Sequence, residues 1–182
     1  MASGAARRRH VAPPPSILQR CPGILRVLEA TMRTSTHDSR ILRFVGLFVV
    51  AASLNYPWEL AQAPLFVQTQ EWGAPWWHCL VASLGDGIFV WMIYVIGWAV
   101  FGRPDWFEYP RWSQYVLMLS AGALIAVGVE WVAVHLAHRW AYSAKMPLLP
   151  GLNIGLIPIL QMLLLPPVVF RLVAAWAYRH KR

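Results

Sequence analysis

The chain has 182 residues, of which 58% are hydrophobic and only 13% are charged, and its mean hydropathy is +0.45. Soluble domains average about 45–50% apolar and about 25% charged residues, so this composition excludes an ordinary soluble domain and indicates a membrane protein. The formal net charge is +8. The basic residues lie in tails and loops beside apolar segments, which argues against a nucleic-acid-binding protein.

The first 38 residues differ from the rest of the chain. They are rich in Pro and Arg and lack apolar periodicity. This composition predicts that residues 1–38 form a disordered, basic cytoplasmic tail. Met32 is a second candidate for the true start, because a compact basic segment leads from it into the first apolar run. Residues 39–182 are predicted to form a transmembrane domain.

Four long apolar stretches follow the tail. They lie at about residues 41–66, 78–101, 115–137 and 152–178. Each exceeds the roughly 20 residues that a helix needs to cross a hydrocarbon core of about 30 Å. Strands of a β-barrel would be shorter and would alternate polar with apolar residues. The predicted fold is therefore all-α, an integral membrane bundle of four transmembrane helices.

Lys and Arg are unevenly distributed around the predicted spans. Only two of the sixteen, Arg139 and Lys145, lie between the third and fourth spans. The others lie on the opposite side, where the positive-inside rule places the cytoplasm. Both termini are therefore predicted to be cytoplasmic, in a bacterial inner membrane. Several tryptophans flank the apolar runs, as in an interfacial aromatic belt; among them are Trp106, Trp112, Trp140 and Trp176.

Three of the eight acidic residues lie inside the predicted spans, namely Glu59, Asp86 and Glu130. An ionised side chain at the centre of a bilayer costs at least about 2.5–3.5 kcal/mol, so such residues usually face a bundle interior or a wet cavity. These three are the candidate catalytic residues, with Glu130 and Asp86 as an acid/base pair.

Other polar residues of the spans fall at a similar depth. With cytoplasmic termini, the helical rise places them in the outer half of the bilayer, which predicts one polar pocket that opens toward the extracytoplasmic side. Its candidate ligand-binding residues are Asn55, Gln62, Arg139, Trp140, Tyr142 and Gln161. Arg139 is assigned to an anionic group. Alternatively, Asn55 and Gln62 only link helices by hydrogen bonds, and Glu130 forms an ion pair with Arg139.

Two segments carry resemblances to known families. Glu130 is followed by Arg139-Trp140-x-Tyr142 and then by Pro158-x-x-Gln161, a layout that resembles small membrane carotenoid enzymes, the lycopene cyclases and carotenoid hydratases. Gln161 stands where the cyclase pattern has an acidic residue. The segment 55–62 resembles the start of small bacterial multi-pass membrane proteins of unassigned function. The first resemblance implies an isoprenoid substrate, and the second implies no activity.

Three function hypotheses follow from these residues. In the first, the polar pocket binds or modifies a lipid or an isoprenoid. In the second, the protein binds or transports protons or a metal ion, with His78, Asp86 and Glu130 as the metal ligands. In the third, it is a structural subunit or assembly factor of a membrane complex, and its polar groups only pack helices. The sequence specifies neither a cofactor nor a protein partner.

Overall fold

The structure, a computed structural model, describes residues 22–67 and 75–179, with the side chains of residues 41, 43–67 and 75–179. The chain divides into two units, Met1–Ser39 and Arg40–Arg182. The second unit is mostly helical and holds every side chain considered below.

Four helices make up most of the described chain. They are α1 (Pro22–Gln62), α2 (Pro75–Phe101), α3 (Trp112–Trp131) and α4 (Leu156–Arg179). A turn of 3-10 helix, Ala63–Leu65, follows α1, and a π-helical turn, Val132–Leu136, follows α3. A short antiparallel hairpin precedes α4; its strands are β1 (Leu148–Leu149) and β2 (Ile154–Gly155), with Leu148 opposite Gly155.

Four segments of the described residues are long and apolar enough to cross a membrane. They are Arg43–Leu65, Pro75–Phe101, Trp112–Leu136 and Leu156–Arg179. The predicted helical class and the four apolar helices are thus confirmed. Large apolar side chains also cover the outward faces of the helices; examples are Val49, Ile88, Val95, Leu124 and Leu164.

The helix ends differ from the predicted boundaries at two places. The first helix begins at Pro22, inside the segment assigned to the tail, and residues 1–21 lie outside the described residues. The fourth helix was predicted from residue 152 but begins at Leu156. Gly151 and Asn153 have φ values of +84° and +52°. A right-handed helix cannot include that left-handed backbone, so these residues form the hairpin turn instead.

Close backbone and aromatic contacts hold the helices together. Helix α3 approaches α4 so closely that a Cβ at Gly122 would collide with the Met162 carbonyl oxygen. Helix α1 packs on α2 through Phe44 and Trp91, whose rings stack with centroids 4.2 Å apart. The Trp91 indole also donates a 2.8 Å hydrogen bond to the Phe44 carbonyl oxygen.

The loop between α2 and α3, residues 102–111, folds back into the helices and is called the plug loop here. Its Trp106 and Phe107 are fully buried. The Trp106 indole donates a 3.1 Å hydrogen bond to the Tyr94 carbonyl oxygen and lies against Gly97, where a Cβ would overlap the ring. The prediction that Trp106 belongs to an interfacial belt is therefore wrong, because the absent side chain at Gly97 opens a place for the indole inside the fold.

Candidate functional site

Polar side chains from three helices meet in the interior of the described fold. Asn55, Glu59 and Gln62 come from the end of α1, Asp86 from α2 and Gln161 from α4. The three α1 residues share one face because they are four and three positions apart. We call these five residues the acid–amide cluster. It lies near the C-terminal end of α1 and the N-terminal end of α4.

The Gln161 amide is at the centre of the acid–amide cluster. Its Nε2 lies 2.7 Å from Asn55 Oδ1, 2.8 Å from Glu59 Oε1 and 2.9 Å from Asp86 Oδ2. Gln62 Nε2 donates to Glu59 Oε1 at 2.7 Å and to Gln161 Oε1 at 3.0 Å. Asn55 Nδ2 donates to the Ala51 carbonyl oxygen at 2.9 Å. The cluster therefore links α1, α2 and α4 by direct hydrogen bonds.

The acid–amide cluster has more acceptors than donors. An amide nitrogen carries two hydrogens, yet Gln161 Nε2 faces three acceptor oxygens. Asp86 and Glu59 both lie within hydrogen-bonding distance of this one nitrogen, so their carboxyl groups are close together. Both side chains are partly buried. The Gln161 amide therefore holds two acidic groups at one place.

Two buried polar atoms of α1 have no hydrogen-bond partner within the described part of the chain. They are Trp58 Nε1, a donor, and Gln62 Oε1, an acceptor. The two residues are four positions apart, so they lie on the same face of the helix, one turn from each other. An unpaired buried polar group costs about 1–3 kcal/mol. One open acceptor thus belongs to the acid–amide cluster, and one open donor lies a helical turn away from it.

Glu130 forms a second acidic site next to the acid–amide cluster, close enough to Glu59 and Asp86 for an electrostatic interaction. Its Oε2 accepts hydrogen bonds from the Tyr142 hydroxyl and, at 3.4 Å, from Trp140 Nε1. Both donors come from the segment that follows the π-helical turn. Two predicted ligand-binding residues, Trp140 and Tyr142, are therefore hydrogen-bonded to a predicted catalytic residue, Glu130.

The backbone on both sides of Tyr142 holds it in place. Val67 N donates to the Ala141 carbonyl oxygen at 2.9 Å, and Ser143 N donates to the Leu65 carbonyl oxygen at 2.8 Å. Gly155 provides the space for the Tyr142 ring, because a Cβ there would lie 3.0 Å from the ring carbon Cε1. The residues that follow α1, the segment after α3 and the hairpin therefore position the Glu130 site jointly.

Tyr142 gives this site a measurable dependence on pH. Burial, and then the hydrogen bond that it donates to Glu130, raise the pKa of the Tyr142 hydroxyl above its ordinary value. The folded state therefore holds this proton more tightly than the unfolded state, whose tyrosine pKa is about 10. The resulting stabilisation is fully present below about pH 10 and is lost as the pH rises towards the folded-state pKa.

We expect the wild type to lose thermal stability more steeply above about pH 10 than the Tyr142→Phe variant. Unfolding in detergent micelles over a series of pH values measures this. Tyr109→Phe is the matched control, because Tyr109 is 70% exposed and should leave the wild-type slope unchanged. Equal slopes for wild type and Tyr142→Phe would contradict the assignment.

Two predicted site residues remain, Arg139 and His78. The Arg139 side chain is exposed and makes no ion pair with Glu130 among the described residues. His138, with φ +47°, turns the chain immediately before Arg139. His78 is exposed in the first turn of α2. Among the described side chains, those of residues 41, 43–67 and 75–179, no three from His, Cys, Asp or Glu lie together as metal ligands.

Sequence analysis did not assign Trp58 to the site. Its spacing of four residues from Gln62 and its position next to Glu59 could have indicated that it belongs there.

Two surface cavities lie away from the acid–amide cluster. One, of about 400 Å³, is lined by residues 110–112 and 115. The other, of about 500 Å³, is lined by residues 108 and 109 and by residues of 171–179. Comparison of the chain with protein-family models, curated proteins and solved structures finds no match.

Proposed function

We propose that the chain is a four-span integral membrane protein that binds a hydroxyl-bearing lipid or isoprenoid at the acid–amide cluster. The four apolar helices and their apolar outward faces support insertion into a bilayer. The distribution of Lys and Arg supports cytoplasmic termini in a bacterial inner membrane. In that orientation the acid–amide cluster lies in the outer half of the bilayer.

The observation that carries this proposal is the unpaired donor and acceptor on α1, Trp58 Nε1 and Gln62 Oε1. A hydroxyl group both donates and accepts hydrogen bonds, so one hydroxyl can pair with either atom. The rest of the ligand would be apolar, because the surfaces around the acid–amide cluster are the apolar faces of helices.

The charges near the site favour a neutral ligand over an anion. The acid–amide cluster contains two carboxyl groups, Glu59 and Asp86, and the one arginine predicted to hold an anion, Arg139, is exposed. A further acidic residue, Glu130, lies within electrostatic range. A carboxyl group within reach of a bound group can exchange a proton with it, which is the requirement for general acid–base chemistry.

The binding test uses geranylgeraniol and its methyl ether as probes. The ether keeps the isoprenoid chain and loses the donor hydrogen. We expect the purified protein in detergent micelles to bind the alcohol more tightly than the ether. Trp58→Phe keeps an aromatic ring but removes the open indole donor, and we expect it to weaken alcohol binding about fivefold, the effect of one hydrogen bond near 1 kcal/mol. Trp112→Phe is the control, because Trp112 is 86% exposed.

Other outcomes of this titration would contradict the proposal. Equal affinity for the alcohol and the ether would show that no hydroxyl is recognised. No binding of either probe, with the protein folded, would favour the hypothesis that the polar residues only pack helices. Stoichiometric metal in the purified protein would favour the metal hypothesis instead.

A further inference from the structure

A groove of about 500 Å³ opens between the plug loop and the last two turns of α4. Two arginines, Arg171 and Arg179, and two tyrosines, Tyr109 and Tyr178, line it. Ala174 lies between the arginines in sequence and also lines the groove, where its small side chain leaves the groove open. The groove is separate from the acid–amide cluster, which lies toward the start of α4.

The position of Arg171 within α4 is costly without an anionic partner. It lies eight residues, or about 12 Å, inside the end of the apolar segment Leu156–Arg179. Its side chain is exposed and makes no ion pair with another described residue. A charge at the side of a membrane span is tolerated where it extends to the interface or meets an opposite charge. Arg179 marks the end of the same span, and the groove connects the two.

The one acidic residue that lines the groove does not offset these arginines. Glu108 lies 3.3 Å from the Arg43 guanidinium Nε, and both side chains are largely buried. That ion pair neutralises Glu108 and ties the plug loop to α1. The charge that remains in the groove is therefore positive.

We propose that this groove binds the phosphate headgroup of an anionic phospholipid, with Arg171 and Arg179 on the phosphate. Arginine forms paired hydrogen bonds with phosphate oxygens. Tyrosines such as Tyr109, which is 70% exposed, are typical of the headgroup region. Under the positive-inside orientation the groove faces the cytoplasmic leaflet, which is the more anionic one. The inference rests on the membrane insertion in the proposed function, but not on the hydroxyl ligand.

Native mass spectrometry of the full chain, purified in the presence of phosphatidylglycerol and phosphatidylcholine, tests this site. We expect the wild type to retain phosphatidylglycerol in preference to phosphatidylcholine. Arg171→Gln should reduce the retained phosphatidylglycerol about tenfold, and Arg179→Gln should reduce it as well. Arg103→Gln removes the same charge from the plug loop at a residue that does not line the groove, and should leave retention unchanged.

Three results would overturn the inference. Equal loss in Arg103→Gln would mean that net charge alone attracts the lipid. Equal retention of the two lipids by the wild type would mean that the headgroup is not recognised. Displacement of phosphatidylglycerol by millimolar inorganic phosphate would indicate a site for a soluble anion. Trp58→Phe leaves the groove intact, so failure of the hydroxyl site and failure of the phosphate site are observed separately.

Discussion

Replacing Gln161 by leucine is expected to lower the free energy of unfolding by about 1–3 kcal/mol, the usual cost of leaving a buried hydrogen-bonding group without its partner. Gln161 Nε2 is hydrogen-bonded to Asn55, Glu59 and Asp86. Without the amide, these acceptors stay in an apolar interior with too few donors. Denaturant unfolding in mixed micelles measures the loss.

A triple variant separates the network from the volume of the side chain. Glu59→Leu, Asp86→Leu and Gln161→Leu together remove the Gln161 amide and both carboxyl groups that it serves, so that only the neutral amides of Asn55 and Gln62 remain. Replacement of buried charged groups together with their partner by apolar residues is often neutral or stabilising, whereas removal of the partner alone is costly. We therefore expect the triple variant to be more stable than Gln161→Leu alone. A triple variant that is less stable than the single one would show that the leucine at 161 acts through packing.

Replacing Trp106 by alanine is the second large change, with an expected loss of about 3–5 kcal/mol. Trp106 is fully buried, packs on Phe170 with ring centroids 5.3 Å apart, and donates a hydrogen bond to the Tyr94 carbonyl oxygen. Its removal leaves a cavity in the plug loop and an unpaired carbonyl. Thermal unfolding in detergent micelles measures this effect.

Trp112→Ala is the matched control for Trp106→Ala. Trp112 follows the plug loop but is 86% exposed, so its loss should change stability by less than about 0.5 kcal/mol. A similar loss for both variants would mean that the indole at 106 contributes only as an interfacial anchor. That result would restore the prediction of an aromatic belt.

The four helices could be predicted because a run of more than about 20 apolar residues has few alternatives to a membrane span. The shared helix face of Asn55, Glu59 and Gln62 follows from their helical spacing. Polar residues in apolar helices avoid the lipid, so a meeting with Asp86 and Gln161 was also to be expected.

The partners of Glu130 could not be predicted in the same way. A long side chain at the end of a span can pair with any nearby donor, and Arg139 was the closest cation in the sequence. The structure selects Tyr142 and Trp140 through backbone hydrogen bonds between residues 65–67 and 141–143. Such pairing between two loops leaves no periodic signal. Likewise, the place of Trp106 depends on Gly97 of another element.

In the proposed function, a hydroxyl-bearing lipid or isoprenoid binds with its hydroxyl at the acid–amide cluster. Photo-crosslinking with diazirine-bearing geranylgeraniol, followed by peptide mapping, tests it most directly. The account predicts labelling of the α1 segment around Trp58 and Gln62 and of α4 around Gln161, removed by excess geranylgeraniol and not by its methyl ether. Labelling spread over the outward helix faces, and unaffected by either competitor, would contradict it.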